Sequence, residues 1–262
     1  YLNSKIFLYK MCGIFSLFTN NAYIDEKIVK SNFNKIKGRG PDNSNMIVNV
    51  KRHSGIVYKH FIGFHRLSIN GLDSQSNQPF DIDNILLICN GEIYNHKQLQ
   101  EDYNVTSQSN SDCEVIIHLY KLMGTNFINK LDGVFSFILI DYKNNKMIVA
   151  RDPIGVRPLF YQQQCTNIAF ASEAKALVGL NDVVLGPKYS IFKTDGLKDS
   201  MNKIEQFPQG SYMTASLNTF TKQPYNFSIE SYLPTEFYNN VSLDIGHECR
   251  DFIISHTREL LE

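Results

Sequence analysis

Apolar positions along the chain fall into short runs, separated by clusters of Gly, Pro, Asn and Ser. Cys12–Phe18 (CGIFSLF) reads as a buried strand. Asp25–Ile36 carries Ile28, Val29, Phe33 and Ile36 at helical spacing and predicts a helix with one apolar face. The Gly/Pro-marked loop Gly38-Arg39-Gly40-Pro41-Asp42 follows. Strand-like runs recur at Gly55–Ile69, Ile85–Cys89, Gly133–Asp141 and Lys146–Ala150, the last two flanking Asn144-Asn145 as a hairpin turn. Leu159–Gln162 and Ile168–Ala171 add two strands, and Gly210–Phe227 another hairpin. Ser111-Asp112-Cys113-Glu114 has the form of a capping box, in which Ser111 caps the Glu114 amide and Glu114 reaches back. It opens a helix with Val115, Ile116, Leu119 and Leu122 on its apolar stripe, and Gly124 supplies the stop. Ile245, Cys249, Phe252, Ile253, Leu260 and Leu261 mark a further amphipathic helix. Many strands and few helices without βαβ alternation predict an α+β protein of stacked antiparallel sheets under helical covers.

Composition narrows the function classes. The chain of 262 residues carries 26 basic and 26 acidic side chains, so nothing in its charge favours nucleic acid as a partner. With 43% hydrophobic residues it has the means to build a core. No apolar run reaches the ~20 residues of a membrane span, and Ile6-Phe7-Leu8 is far short of a signal-peptide core. Five widely spaced cysteines, without a C-x-x-C pair, argue against a disulfide framework and against a zinc site. A reducing, cytoplasmic location and no metal site are the expectations.

Four places could carry chemistry. Cys12 is either an ordinary buried strand cysteine or, with Met11 as initiator and then removed, the first residue of a mature chain. In the second case its α-amine, with a pKa of about 7.7–8.0, serves the thiol as its own base. A Cys/His protease is the rival, although none of the 7 histidines sits in a local cysteine-protease signature. Arg66 ends an apolar strand, where it either leaves for solvent or forms a bidentate fork for a carboxylate. Asn90-Gly91 is a strong turn signal after Ile85–Cys89, and an Asn carboxamide beside a turn amide is also a way to converge two donors on an oxyanion. Asp112 suits the first turn of a helix for dipole reasons and could equally hold a substrate ammonium. Together these groups describe a site for the side-chain amide of a free amino acid.

The ordered blocks Met11-Cys-Gly-Ile-Phe15, Arg39-Gly-Pro-Asp42, His65-Arg-Leu-Ser-Ile69, Asn77-Gln-Pro-Phe80, Asn90-Gly-Glu-Ile-Tyr-Asn95, Ser111-Asp-Cys-Glu-Val115, Arg151-Asp-Pro-Ile-Gly-Val-Arg-Pro-Leu159, Ser172-Glu-Ala-Lys-Ala-Leu177 and Phe207-Pro-Gln-Gly210 carry a resemblance. The chain resembles the class II, N-terminal-nucleophile glutamine amidotransferase domain of glutamine-hydrolysing asparagine synthetases. The resemblance implies a four-layer αββα sandwich and hydrolysis of L-glutamine to glutamate and ammonia. It implies Cys12 as nucleophile and, through its amine, general base, with Asn90 and Gly91 as the oxyanion hole. Arg66 would take the α-carboxylate and Asp112 the α-ammonium, while Leu67, Ser68, Ile69, Asn70 and Glu92 line the pocket. Arg39, Asp42, Arg151 and Asp152 are read as structural or loop-ordering residues.

The expected organisation is residues 1–11 as a leader or upstream segment, 12–210 as the glutaminase domain, and 211–262 as a closing hairpin and the start of a helix toward a synthetase domain. Neither a Ser-Gly-Gly-x-Asp-Ser loop nor a G-x-x-x-x-G-K-[ST] motif occurs. The glutaminase half therefore needs no cofactor, and ATP and Mg belong to a synthetase half outside this chain. The ammonia acceptor is that synthetase domain or a partner subunit, and a homodimer is among the expected assemblies. Two other readings stand beside this one: a stand-alone class II amidotransferase serving a separate partner, and a catalytically dead glutamine-binding module.

Overall fold

The computed structural model describes residues 11–53, 55–164, 167–180, 203–217 and 227–233. Among these residues, twelve strands form two antiparallel sheets of six strands each. The first has the order β10 (Ile204–Gln206), β8 (Phe160–Gln164), β9 (Asn167–Ala171), β1 (Gly13–Thr19), β3 (Ile56–Arg66), β2 (Asn43–His53). The second runs β12 (Ser228–Ser231), β11 (Ser211–Ser216), β7 (Lys146–Arg151), β6 (Gly133–Asp141), β5 (Ile85–Ile93), β4 (Phe80–Ile82).

Side-chain alternation turns these sheets into four layers. Ile14 and Phe18 of β1, Ile62 and Phe64 of β3, Leu86 and Ile88 of β5, and Ile138 and Ile140 of β6 meet between the sheets. Phe15 and Leu17 face the other way, onto Val29, Phe33 and Ile36 of α1 (Glu26–Asn34) and the turn behind it. Leu87, Phe135, Phe137 and Leu139 pack outward against α2 (His96–Asp102) and α3 (Val115–Met123). Each sheet is covered on both faces, which explains why β1 and β5 read as continuous apolar runs. The expected αββα sandwich is what the chain forms.

Several local expectations change. Asp25 caps α1 by accepting from Lys27 N, but Ile28 lies 38% exposed, off the buried face. Leu122 is likewise exposed, and Ile117 and Tyr120 take its place in the core of α3. The capping box at Ser111 does not form as written. Ser111 Oγ accepts from Cys113 N, and residues 112–114 form a 3-10 turn before α3. Glu114 instead accepts from the amides of Gln108 and Ser109 and from Ser109 Oγ, tying down the preceding loop. Gly124 does end α3, at φ 61°. Asn90-Gly91 is not a turn: β5 runs through it to Ile93, paired with β6. β2, β4, α2 and β10 are additional to the elements that the apolar pattern predicts. β2 is an edge strand with three Asn and a basic end, Lys51-Arg52-His53, so its alternation is muted. β11 pairs with both β7 and β12, so the hairpin expected over Gly210–Phe227 has its second arm just beyond that range, at Ser228–Ser231, and belongs to the second sheet. The amphipathic helix expected after Ile245 lies outside the described residues.

Candidate active site

Three strand ends on one rim of the sandwich build a cleft. On β1 the inward face reads Cys12, Ile14, Ser16, Phe18; on β3 it reads Phe64 then Arg66; on β5 it reads Leu86, Ile88, Asn90. Apolar residues fill the middle of the sandwich, and Cys12, Arg66 and Asn90 emerge where it opens. The cleft is lined by Cys12, Arg66, Leu67, Ile69, Asn70, Asn90, Gly91, Glu92 and Asp112, so the structure brings together all but one of the residues singled out in the sequence. Ser68 is the exception. Its amide donates to Asp42 Oδ2 at 2.7 Å, outside the cleft wall, so its part is to fix the loop.

Cys12 Sγ accepts from Leu67 N at 3.3 Å and lies 3.5 Å from Leu67 O. Burial pushes the thiol pKa up, against the Leu67 amide and the charges of Arg157 and Arg66, which pull it down. The Cys12 carbonyl accepts from Arg39 Nε at 2.9 Å, and Arg39 is itself paired with Glu173 at 3.1 Å. The Cys12 backbone is thus held by a partly buried ion pair.

The edge of β5 explains Gly91. Strand β4 stops pairing at Phe80, opposite Leu87. Past that point the buried Gln78 carboxamide replaces a strand, accepting from Cys89 N at 2.6 Å and donating to Cys89 O at 3.1 Å. Two residues further on from Gly91, Ile93 N donates to Asp112 Oδ2 at 2.7 Å. Between them, the Gly91 N–H points to the same open edge, because its neighbour Phe135 turns its carbonyl away to Asp152 N. A Cβ at Gly91 would come 2.3 Å from Val134 O, so only glycine fits. Asn90 Nδ2 is buried and has no hydrogen-bond partner. An unpaired buried donor costs about 1–3 kcal/mol, a cost a fold retains where a ligand atom is to be bound.

Arg66 is already engaged. Its Nη1 donates to Asp73 O and Asn77 Oδ1, and its Nη2 to Asn70 O and Gly71 O. The guanidinium therefore organises loop 67–77, and an incoming carboxylate has to displace one of these acceptors.

Sequence reasoning missed two contributors. Gln78 lies in the Asn77-Gln-Pro-Phe80 block, but its strand-mimicking role depends on where β4 ends. Arg157 reaches the cleft, 3.8 Å from Glu92 Oε1 and with Nη1 2.5 Å from Met11 Sδ. Arg151 and Asp152 place it: Arg151 donates to the carbonyls of Arg157, Gly155 and Phe207, while Asp152 accepts from the amides of Ile154, Val156 and Arg157. The loop-ordering role expected for Arg39, Asp42, Arg151 and Asp152 is what their contacts describe.

No histidine lines the cleft among the described residues. His65 faces the other side of the first sheet, stacked on Phe33 at 3.7 Å with Nε2 3.0 Å from Phe33 O and Nδ1 2.7 Å from Ser44 Oγ. The Cys/His protease alternative has no base here.

Two six-stranded antiparallel sheets packed between helical layers make the αββα fold of the N-terminal-nucleophile hydrolases. A solved glutamine phosphoribosylpyrophosphate amidotransferase from B. subtilis shares it, with a TM-score of 0.59 at 20% identity over 85% of this chain and 49% of that one. A solved allosteric regulatory enzyme of purine biosynthesis gives a TM-score of 0.60 at the same identity and coverage. The family model described as glutamine amidotransferase domain matches residues 11–226, and the chain belongs to that family.

Among curated relatives, a probable glutamine-hydrolysing asparagine synthetase of Dictyostelium discoideum is 33% identical over 81% of this chain and 34% of its own length. A probable one of Acanthamoeba polyphaga mimivirus is 38% identical over 66% of this chain and 32% of its own. The asparagine synthetase of Mus musculus is 40% identical over 65% and 30%. The chain spans about a third of the length of these relatives.

Proposed function

We propose that this chain hydrolyses the side-chain amide of L-glutamine to glutamate and ammonia, as the ammonia-supplying unit of an asparagine-forming enzyme. The observation that carries this reading is the buried, unpartnered Asn90 Nδ2 in the cleft that also holds Cys12. It is a donor set aside for an oxyanion. In the first step the Cys12 sulfur attacks the amide carbon, and the negative oxygen is received by Asn90 Nδ2–H and Gly91 N–H. Collapse expels ammonia and leaves a thioester, which water cleaves to glutamate and free thiol. Asp112 meets the α-ammonium. Arg66 supplies the charge for the α-carboxylate, and loop 67–70 with Glu92 completes the wall.

The base is the Cys12 α-amine in a form that begins at Cys12. As long as Met11 is attached, that nitrogen is an amide whose lone pair is delocalised. The surroundings do not compensate, since burial raises the thiol pKa. Met11 also lines the cleft against Arg157, on the substrate's path. Residues 12–210 with the integral hairpin that follows make up the glutaminase unit. Residues 1–11 are a leader or upstream segment absent from the active form, and the ammonia acceptor is a synthetase domain or subunit that uses ATP and Mg. The unit itself needs no cofactor and works in the cytoplasm.

The test is glutamate and ammonia release from L-glutamine by two preparations, one starting at Cys12 and one retaining Met11. Turnover confined to the first supports the reading. Equal turnover by both removes the amine from its role as base.

A further inference from the structure

The inward face of β3 is polar at both ends. Arg66 occupies the end described above. At the other end Tyr58 and His60 point into the sandwich, His60 about 20 Å from Arg66 as judged from the six residues between them at ~3.3 Å each. Their surroundings form a cavity of about 260 Å³, lined by Lys51, Arg52, Tyr58, His60, Tyr142 and Asn145 beside Leu217. Nothing in the glutaminase reading uses it.

Both polar tips at its base are orphaned. Tyr58 and His60 are 3% and 2% exposed, and Tyr58 OH and His60 Nε2 have no hydrogen-bond partner. Tyr142 OH accepts from Asn49 Nδ2 at 2.9 Å, which leaves its own proton for His60 Nδ1 at 3.4 Å. We assign the tautomer on that contact, with Nδ1 as the acceptor and the hydrogen on Nε2. Burial, with Lys51 nearby, lowers the His60 pKa to about 4, so the ring stays neutral and donates one hydrogen. Lys51 Nζ stands over the Tyr142 ring, 4.8 Å from its centroid. Among the described residues the lining thus presents two neutral donors and two cations, and no carboxylate.

We propose that this cavity binds a small oxyanion, a phosphate or carboxylate, between Lys51 and the Tyr58–His60 donor pair. O–H and N–H donors two residues apart on the same face of β3 suit two oxygens of one such group, and Lys51 balances its charge. A single water occupies ~30 Å³ in the liquid, several times less than this cavity, and has no use for the cations. The site lies on the opposite rim from Cys12, so a ligand here leaves the glutamine cleft open.

Histidine NMR of the whole chain tests this, with inorganic phosphate and acetate titrated separately at constant ionic strength held with chloride. Binding is expected to saturate and to raise the His60 pKa by at least one unit, because the anion favours the charged ring. Lys51→Gln, at an exposed position that leaves the core intact, is expected to weaken binding at least tenfold. Saturation by phosphate alone, or by acetate alone, identifies the oxyanion. Shifts that grow linearly and match those in chloride, or binding unaffected by Lys51→Gln, would overturn the proposal.

Discussion

At the residue scale, the account rests on atoms whose partners are missing or fixed. Asn90 Nδ2 is buried without a partner, so Asn90→Ala removes no structural hydrogen bond from that nitrogen. The variant is expected to fold normally and to lose about 10²–10³ in kcat, the effect of deleting one oxyanion donor. Steady-state glutaminase kinetics check this, and an unchanged kcat would take Asn90 out of that role. Asp112 differs, because its Oδ2 also holds Ile93 N. Asp112→Asn keeps an oxygen for that amide while removing the charge that faces an ammonium. Glutamine use is then expected to fall by far more than use of an analogue lacking the α-amine. Equal losses on both substrates would show a structural role only.

At the element scale, β5 carries the site. Gly91 tolerates no Cβ, and Gly91→Ala has to push β5 away from β6 at Val134 O. Both kcat and the unfolding midpoint are expected to drop, read by kinetics and by thermal melting on the same sample. The loop before α3 gives a pH-dependent counterpart. Burial pushes the Glu114 pKa up, but His118, Ser109 and the amides of Gln108 and Ser109 outweigh it and hold the value at about 2 against an ordinary 4.5. A carboxylate with a lowered folded pKa stabilises the fold above its unfolded value. That contribution is lost as pH falls from about 4.5 toward 2. Glu114→Gln, which turns an amide N–H toward those donors, is expected to cost about 1–3 kcal/mol at neutral pH and to flatten the acid limb. An acid limb as steep as that of the parent chain would contradict this.

At the scale of the whole molecule, much was legible from sequence because burial on both faces writes itself as continuous apolar runs. Cys12–Phe18, Ile85–Cys89 and Gly133–Asp141 gave away β1, β5 and β6 in this manner. β2 did not: it lies at a sheet edge, half solvated, and reads as polar as a loop. Asn90-Gly91 misled for a local reason. A pair that favours turns sits in a strand here because the sheet needs a residue without a Cβ and the site needs a carboxamide. Arg66, Asp112 and Cys12 could be named from their blocks, but that four loop acceptors fill Arg66 could not. Arg157 and Gln78 were hidden for the same reason, since each acts through a strand end or loop defined only by the folded chain.

The central claim is that Cys12, with a free amine, attacks the glutamine amide. The most direct measurement is to expose the form beginning at Cys12 to a glutamine-like diazoketone and map the adduct by peptide mass spectrometry. The account predicts one adduct, on Cys12, blocked by excess glutamine and accompanied by complete loss of glutamate release. An adduct on Cys89 or Cys113, or full glutaminase activity remaining once Cys12 is modified, would contradict it.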